Sequence, residues 1–232
     1  MSIAEKLQTI AETEQKVYDA GKSKGIEEGK KSEYDAFWDS YQSYGNATYY
    51  SHRFAGQGWN DVTFKPKYNI RVVGSADRMF RGTGSLNLRQ RLLDCGVTMD
   101  TSKGTSFQYA FSHGKITELP KLDFSGTTTV DATLSGDTKL IYIEEMVVHE
   151  NLKYSSPFNN CTSLEHLIVT GTIGQNGFDV SACPLSHDSL MSIINALKSG
   201  VSGLTVTLGS TNLAKLTDAE KAIATQKGWT LL

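Results

Sequence analysis

The sequence is poor in several features that mark large classes of protein. Its 232 residues contain only three cysteines, Cys95, Cys161 and Cys183, whose wide spacing fits neither a disulfide framework nor a metal or redox motif. This usage favours buried thiols in a reducing cytoplasm. Four prolines against 21 glycines predict many tight turns between short, closely stacked elements.

Charge and hydropathy argue against two classes of partner. The net charge is −2 and no basic run exceeds two residues, so the positive stripe of a nucleic-acid-binding protein is missing. No window approaches the roughly 18 apolar residues of a membrane-spanning helix, and the first residues lack the apolar stretch of a signal peptide. We therefore expect synthesis in a bacterial cytoplasm, with no binding to nucleic acid and no membrane insertion.

Motifs that carry catalysis are also missing from the sequence. The glycine-rich segments 82–85 and 171–177 have neither the Gly-Lys-Ser/Thr ending of a phosphate-binding loop nor the spacing of a dinucleotide-binding motif. The sequence has no Gly-x-Ser-x-Gly nucleophile motif and no His-Glu-x-x-His zinc motif. We predict that the protein is not an enzyme and has no catalytic residues, metal site or cofactor.

Two weaker chemical candidates remain. Adjacent Glu144 and Glu145 resemble a carboxylate pair, but neighbouring strand residues are expected to point to opposite faces. The other candidate is a contact between His166 and Cys161 or Cys183, which a folded chain brings together only if its distant segments meet. A solvated or hydrogen-bonded histidine is the commoner arrangement.

The first segment, residues 1–31, is predicted to be a helical stalk. Ser2 and Glu5 have the spacing of a capping box. The next residues follow the alternating steps of four and three of a coiled-coil seam, in which Glu14 takes the place between Ile10 and Val17. The predicted oligomerisation residues are the apolar ones, Ile3, Leu7, Ile10 and Val17. The pattern favours a homo-oligomer, a trimer above all, and its alternative is one amphipathic helix docked on its own domain.

An aromatic segment follows the stalk. Residues 32–49 are predicted to form a cap helix, since Ser32 can cap it and Tyr34, Phe37, Trp38 and Tyr41 share one helical face. Aromatic residues on a protein surface often bind partners. The predicted partner-binding residues are Tyr41, Tyr44, Tyr49, Tyr50 and Trp59. The alternative is that these rings form a hydrophobic lid over the next domain.

Residues 50–185 show an internal repeat. Each unit has an aromatic or apolar anchor, a small polar turn and then a short apolar strand, and the anchors are Phe54, Phe80, Phe111, Leu134 and Phe158. Their spacing scatters around the roughly 20–29-residue period of leucine-rich units. One unit cannot bury both its strand and its anchor, whereas stacked units share a continuous core. The repeat predicts a solenoid.

The clearest unit, 158–167, reads Phe-Asn-Asn-Cys-Thr-Ser-Leu-Glu-His-Leu. It resembles the BspA-like leucine-rich repeats of gut and oral bacteria and their phages. Segment 216–231 is similar to the closing segment of these proteins, and 33–39 is similar to the lead-in of versions associated with prophage tail regions of gut Firmicutes. The resemblance implies adhesion or a structural role and supplies no catalytic residues.

Residues 186–232 are predicted to form capping repeats of helix and strand. Ser186 can cap one helix, and Thr217 with Glu220 forms a capping box at the start of a second helix, 218–226. Gly228 is placed to end that helix before a last strand at 229–232. We expect parallel strands here, with Trp229 in the core.

Together these patterns predict an α/β repeat fold: an irregular leucine-rich-repeat solenoid with an N-terminal helical stalk and a C-terminal helix–strand cap. The predicted function is that of a non-enzymatic structural or binding protein in a phage or phage-like particle, associated with its tail. The predicted partner is a protein or a host-surface glycan. One alternative is a monomeric bacterial module that binds protein or glycan. Another is a hydrolase without a recognisable motif.

Overall fold

The computed structural model describes residues 59–232. Its strands are β1 Ile70–Ser75, β2 Ser85–Asn87, β3 Met99–Ser106, β4 Lys115–Leu119, β5 Leu122–Asp123, β6 Thr129–Asp131, β7 Tyr142–Val148, β8 Lys153–Ser155, β9 His166–Gly171, β10 Leu204–Val206 and β11 Trp229–Leu231. Its helices are α1 Leu88–Asp94, α2 His187–Ala196, α3 Ser210–Leu213 and α4 Asp218–Gln226. The predicted stalk 1–31 and cap helix 32–49 lie outside the described residues.

Strand pairing in this part of the chain is parallel. The largest sheet has the order β2–β4–β7–β9, and β5 pairs with the later part of β7. Three two-stranded sheets pair β1 with β3, β6 with β8, and β10 with β11. Parallel partners need a crossover connection, so each sheet brings together residues that are well separated along the chain.

The predicted fold class, an α/β leucine-rich-repeat solenoid with an N-terminal helical stalk and a C-terminal helix–strand cap, is wrong. The described residues form mostly short strands in parallel sheets, and helices account for only 17% of them. Between β3 and α2 the connections are turns and short strands. These segments are rich in Gly, Ser, Thr, Asn and Asp, which favour turns over helix, and this composition explains why no helix forms there.

The anchor residues lie in the core, each behind the same kind of turn. Phe80, Phe111, Leu134 and Phe158 are all buried, and the Phe80 and Phe111 rings stack with centroids 5.7 Å apart. The residue two positions before each anchor has positive φ, although none is glycine; these residues are Arg78, Tyr109, Ala132 and Ser156. Successive turns are joined by backbone hydrogen bonds, such as Phe80 N to Ala110 O at 2.6 Å. The Phe54 anchor lies outside the described residues.

The local predictions near the carboxyl end are confirmed. The Ser186 side chain caps α2, and both hydrogen bonds of the Thr217–Glu220 capping box are present at the start of α4. β11 pairs in parallel with β10. Trp229 is buried, and its indole N–H donates to the Lys198 carbonyl at 2.8 Å.

No helix within residues 59–232 has the length and hydrophobicity needed to cross a lipid bilayer.

Candidate functional site

The residues predicted to bind partners are mostly beyond the part of the chain that the structure describes. The oligomerisation residues Ile3, Leu7, Ile10 and Val17 lie outside it, as do Tyr41, Tyr44, Tyr49 and Tyr50. Trp59 is described and is only 2% exposed. Its ring packs edge-on against Phe64 with centroids 5.6 Å apart, so Trp59 belongs to the core beneath the first strands.

A row of larger polar side chains crosses the outer face of the main sheet. Ile143 of β7 and Leu167 of β9 are buried. Side chains alternate along a strand, so the preceding residues, Tyr142 and His166, lie on the outer face. The register aligns Glu118 of β4 with Tyr142, and Tyr142 with His166. The three side chains therefore form one half-exposed row across neighbouring strands.

This row is the centre of a larger group that we term the Tyr142 cluster: Arg89, Glu118, Tyr142, Glu144 and His166. The Tyr142 and His166 rings stack almost parallel, at 4°, with centroids 4.3 Å apart. The Arg89 guanidinium carbon lies 5.2 Å from the centre of the Tyr142 ring. Arg89 also lies 3.6 Å from a carboxylate oxygen of Glu118 and of Glu144. Contacts on several sides thus hold the Tyr142 ring in place.

A second polar group lies further along the same strands. The Lys121 ammonium is 2.9 Å from Glu145, and the Thr170 hydroxyl donates to the other Glu145 oxygen at 2.7 Å. The hydrogen bond from Lys121, followed by that from Thr170, lowers the pKa of the Glu145 carboxyl, and Glu145 raises the pKa of Lys121. Both groups are therefore charged at neutral pH.

The carboxylate pair considered from the sequence has a different geometry from the one expected. Alternation predicts that Glu144 and Glu145 point to opposite faces, but the register of β7 shifts between Ile143 and Met146. An irregularity of this kind inserts an extra residue between two core positions. Both glutamates stay outside the core, where Glu144 pairs with Arg89 and Glu145 with Lys121. Each is therefore occupied in an ion pair.

The histidine–cysteine contact is not formed. His166 stacks on Tyr142 at the outer face, whereas Cys161 and Cys183 are buried. The Cys161 thiol donates to the Leu134 carbonyl at 3.2 Å. Burial raises the pKa of both thiols, that of Cys183 to about 12, so they remain protonated and unreactive at neutral pH.

Small-molecule and metal sites have little support in the described region. Residues 59–232 contain no group of three or more His, Cys, Asp or Glu side chains placed to hold a metal ion. A cavity of about 80 Å³ is lined by Ser156, Phe158, Asn159, Asp179, Ser181 and Ala182. Small-molecule pockets usually measure roughly 300 Å³ or more, so this cavity is too small for a ligand of ordinary size.

Comparison of the chain with protein-family models, curated proteins and solved structures finds no match. The resemblance to BspA-like proteins of prophage tail regions therefore stays a prediction.

The sequence contains no motif for the Tyr142 cluster, because its members are scattered along the chain. Arg89 and His166 lie in units that only the parallel register brings together. One feature of the sequence does connect three of these residues. Glu118, Tyr142 and His166 each directly precede a buried residue of a strand. An alignment of the units by their strands, rather than by their anchors, would have placed Tyr142 beside His166.

Proposed function

We propose that this chain is a non-enzymatic structural or binding protein that binds a protein partner through the outer face of its main sheet. The observation that carries the proposal is the Tyr142 cluster, in which an aromatic pair and an arginine are held in place at a half-exposed surface. Tyr and Arg are among the residues that contribute most to binding at protein interfaces. Ordering these side chains before binding lowers the entropic cost of association.

The stacking geometry favours a protein partner over a glycan. A sugar ring that packs on an aromatic residue needs an open ring face, but one face of Tyr142 is covered by His166. The Arg89 guanidinium also lies over the Tyr142 ring. Arg89 pairs with Glu118 and Glu144, and the exposed atoms of these side chains can form further hydrogen bonds with a partner. Such groups are complementary to the mixed polar surface of a protein.

The proposal extends to a role in a phage or phage-like particle, in association with its tail. It is supported by the predicted oligomerisation seam at Ile3, Leu7, Ile10 and Val17. It is also supported by the resemblance of segment 33–39 to the lead-in of prophage-tail-associated versions and of segment 158–167 to BspA-like repeats of bacteria and their phages. A chain made in the bacterial cytoplasm would then be incorporated into the particle as a homo-oligomer. Its sheet face would bind another particle protein or a protein on the host surface.

The binding face is tested with labelled full-length chain and cells of the species that carries the gene. We expect Tyr142→Ala to weaken binding at least tenfold, about 1.4 kcal/mol, as for an interface hot spot. Tyr109→Ala is the matched control, because Tyr109 is a half-buried tyrosine with Arg78 and Arg81 near its ring but lies in a turn and not on a strand of the main sheet. It should bind as wild type does. Equal losses in both variants would contradict the assignment of this face.

Treatment of the cells separates the two kinds of partner. Proteinase treatment should abolish binding, whereas periodate oxidation of glycans should leave it intact. The opposite result would support the alternative, a glycan-binding module. Mass spectrometry of gradient-purified particles after prophage induction tests the particle role, and absence of the chain from them would contradict it.

A further inference from the structure

A column of small side chains runs through the core beneath the main sheet, and one member is an acid. The third residue after each anchor is Thr83, Gly114, Asp137 or Cys161, and each of these is buried. The Thr83 hydroxyl lies 2.8 Å, and one Asp137 carboxyl oxygen 3.5 Å, from the point that a Cβ on Gly114 would occupy. The missing side chain of Gly114 thus leaves room for Thr83 and Asp137 on either side of it.

Asp137 is 1% exposed and makes only part of its possible hydrogen bonds. The Ile116 N–H donates to Oδ2 at 3.2 Å, and the Lys139 backbone N–H also donates to the carboxyl group. Asp137 Oδ1 and Thr83 Oγ1 have no hydrogen-bond partner among the described residues. A buried carboxylate with an unpaired oxygen is costly, whereas a protonated carboxyl group can donate from that oxygen.

Within residues 59–232, no cation compensates the Asp137 carboxyl. The titratable neighbour in the next unit is Cys161. Burial raises the pKa of its thiol, so the thiol stays neutral. His113 and Lys115, which flank Gly114, and Lys139 on the loop before β7 are exposed to solvent; the His113 ring packs against Gly136. Burial therefore dominates and raises the pKa of Asp137 to about 7.

We propose that Asp137 is a proton-operated lock between β4 and β7. The carboxyl group binds the N–H of Ile116 in β4 and that of Lys139, three residues before β7 begins, so it joins the two strands that present Glu118 and Tyr142. The neutral form avoids an uncompensated charge in this buried column. Loss of the proton leaves an uncompensated anion, which gains hydration only if the β4–β7 segment opens. The effect on partner binding rests on the proposed function; the lock itself does not.

The sign of the pH dependence follows from the two pKa values. In the unfolded chain Asp137 titrates near its ordinary value of 3.8, and in the folded chain at about 7. Between these values the folded chain holds one proton more than the unfolded chain, so stability falls as pH rises through this window and levels off above it. The equilibrium constant for unfolding should rise by up to about tenfold per pH unit.

Urea unfolding of the full-length chain between pH 5 and pH 8 tests the lock, with Asp137→Asn as the variant. Asparagine keeps the shape and the acceptor for Ile116 but cannot ionise. We expect the unfolding constant of wild type to increase by about 50-fold between pH 5 and pH 7, and this increase to vanish in Asp137→Asn. Asp188→Asn, a change at a side chain that is 92% exposed, should retain it. Parallel pH profiles for wild type and Asp137→Asn would overturn the proposal.

A carbon-13 NMR titration of wild type decides the matter even if Asp137→Asn fails to fold. The Asp137 carboxyl carbon should titrate near pH 7, and exchange of the Ile116 amide, corrected for its intrinsic rate, should accelerate over the same range. A carboxyl that titrates below pH 5 overturns the lock. If Tyr142→Ala loses partner binding while the pH at which Asp137 titrates is unchanged, the binding face and the lock are independent of each other.

Discussion

At the scale of single residues, Gly171 illustrates how closely the units approach one another. It ends β9 with φ +86°, and a Cβ there would overlap the carbonyl oxygen of Val148, its neighbour across from β7. Substitution by alanine therefore adds a steric clash with backbone to the strain of a left-handed conformation. We expect Gly171→Ala to lower the free energy of unfolding by roughly 3 kcal/mol, measured by urea denaturation.

Gly200 provides the matched control for this prediction. Its φ of +72° is similar, but a Cβ would meet nothing within 4 Å. Gly200→Ala should therefore cost only the conformational strain, about 1 kcal/mol. If the two substitutions cost the same, the close approach of β9 to β7 would not be a constraint on stability.

Residue-scale signals in the sequence were reliable where they act locally. The Thr217–Glu220 capping box depends on residues three apart and is confirmed. The burial of Asp137 depends on which units stack, and an aspartate is ordinarily expected at the surface, so its core position was not predictable from its residue type. A usable signal existed, since Asp137 follows Leu134 by the same interval as Cys161 follows Phe158.

At the scale of elements, the main sheet ends in a helix instead of another strand. The N–H of Leu167 in β9 donates to the Ser189 hydroxyl at 2.9 Å, and that of Val169 donates to the Ser192 hydroxyl at 3.0 Å. Both serines lie on α2. An exposed strand edge with unpaired N–H groups promotes aggregation. The two hydroxyls therefore satisfy the edge of β9 in place of a neighbouring strand.

Removal of either hydroxyl should destabilise this edge. We expect Ser189→Ala to cost about 1–3 kcal/mol, because it leaves the buried Leu167 N–H without an acceptor. Hydrogen exchange should accelerate at the Leu167 amide in Ser189→Ala and at the Val169 amide in Ser192→Ala. Ser202→Ala, at an exposed position, should change neither. Uniform protection in all three variants would contradict the role of the serines.

The strands were predictable as elements, but the fold class was not. The repeat predicts a short apolar strand behind each anchor, and β4 and β9 follow Phe111 and Phe158. The repeat of anchors predicts an α/β solenoid, whereas turns and short strands occupy the connections between β3 and α2. The residues of these connections have low helix propensity.

At the scale of the whole molecule, the Tyr142 cluster exists only because parallel pairing sets the register. A shift of one residue between β7 and β9 would move His166 away from Tyr142 and expose Leu167 instead. Sequence spacing alone could not fix this register, because β7 carries a shift between Ile143 and Met146. The strands were therefore predictable from the sequence, but the surface that they form together was not.

The predicted oligomer is the remaining property of the whole molecule, and light scattering of the full-length chain measures it. The seam Ile3, Leu7, Ile10 and Val17 predicts a homo-oligomer with three times the monomer mass. The double substitution Leu7→Asp with Ile10→Asp places charges in that seam and should give a monomer, since a buried charge without a partner is strongly unfavourable.

A matched pair of substitutions off the seam, Gln8→Asp with Gln15→Asp, adds the same charge and should leave the mass unchanged. If both double variants dissociate, added charge rather than the seam accounts for the effect. A wild-type chain that is already monomeric would favour the alternative, an amphipathic helix docked on its own domain. Each chain would then present a single copy of the binding face at Tyr142. Avidity, which can raise apparent affinity by orders of magnitude, would have to come from several copies of the chain on one particle.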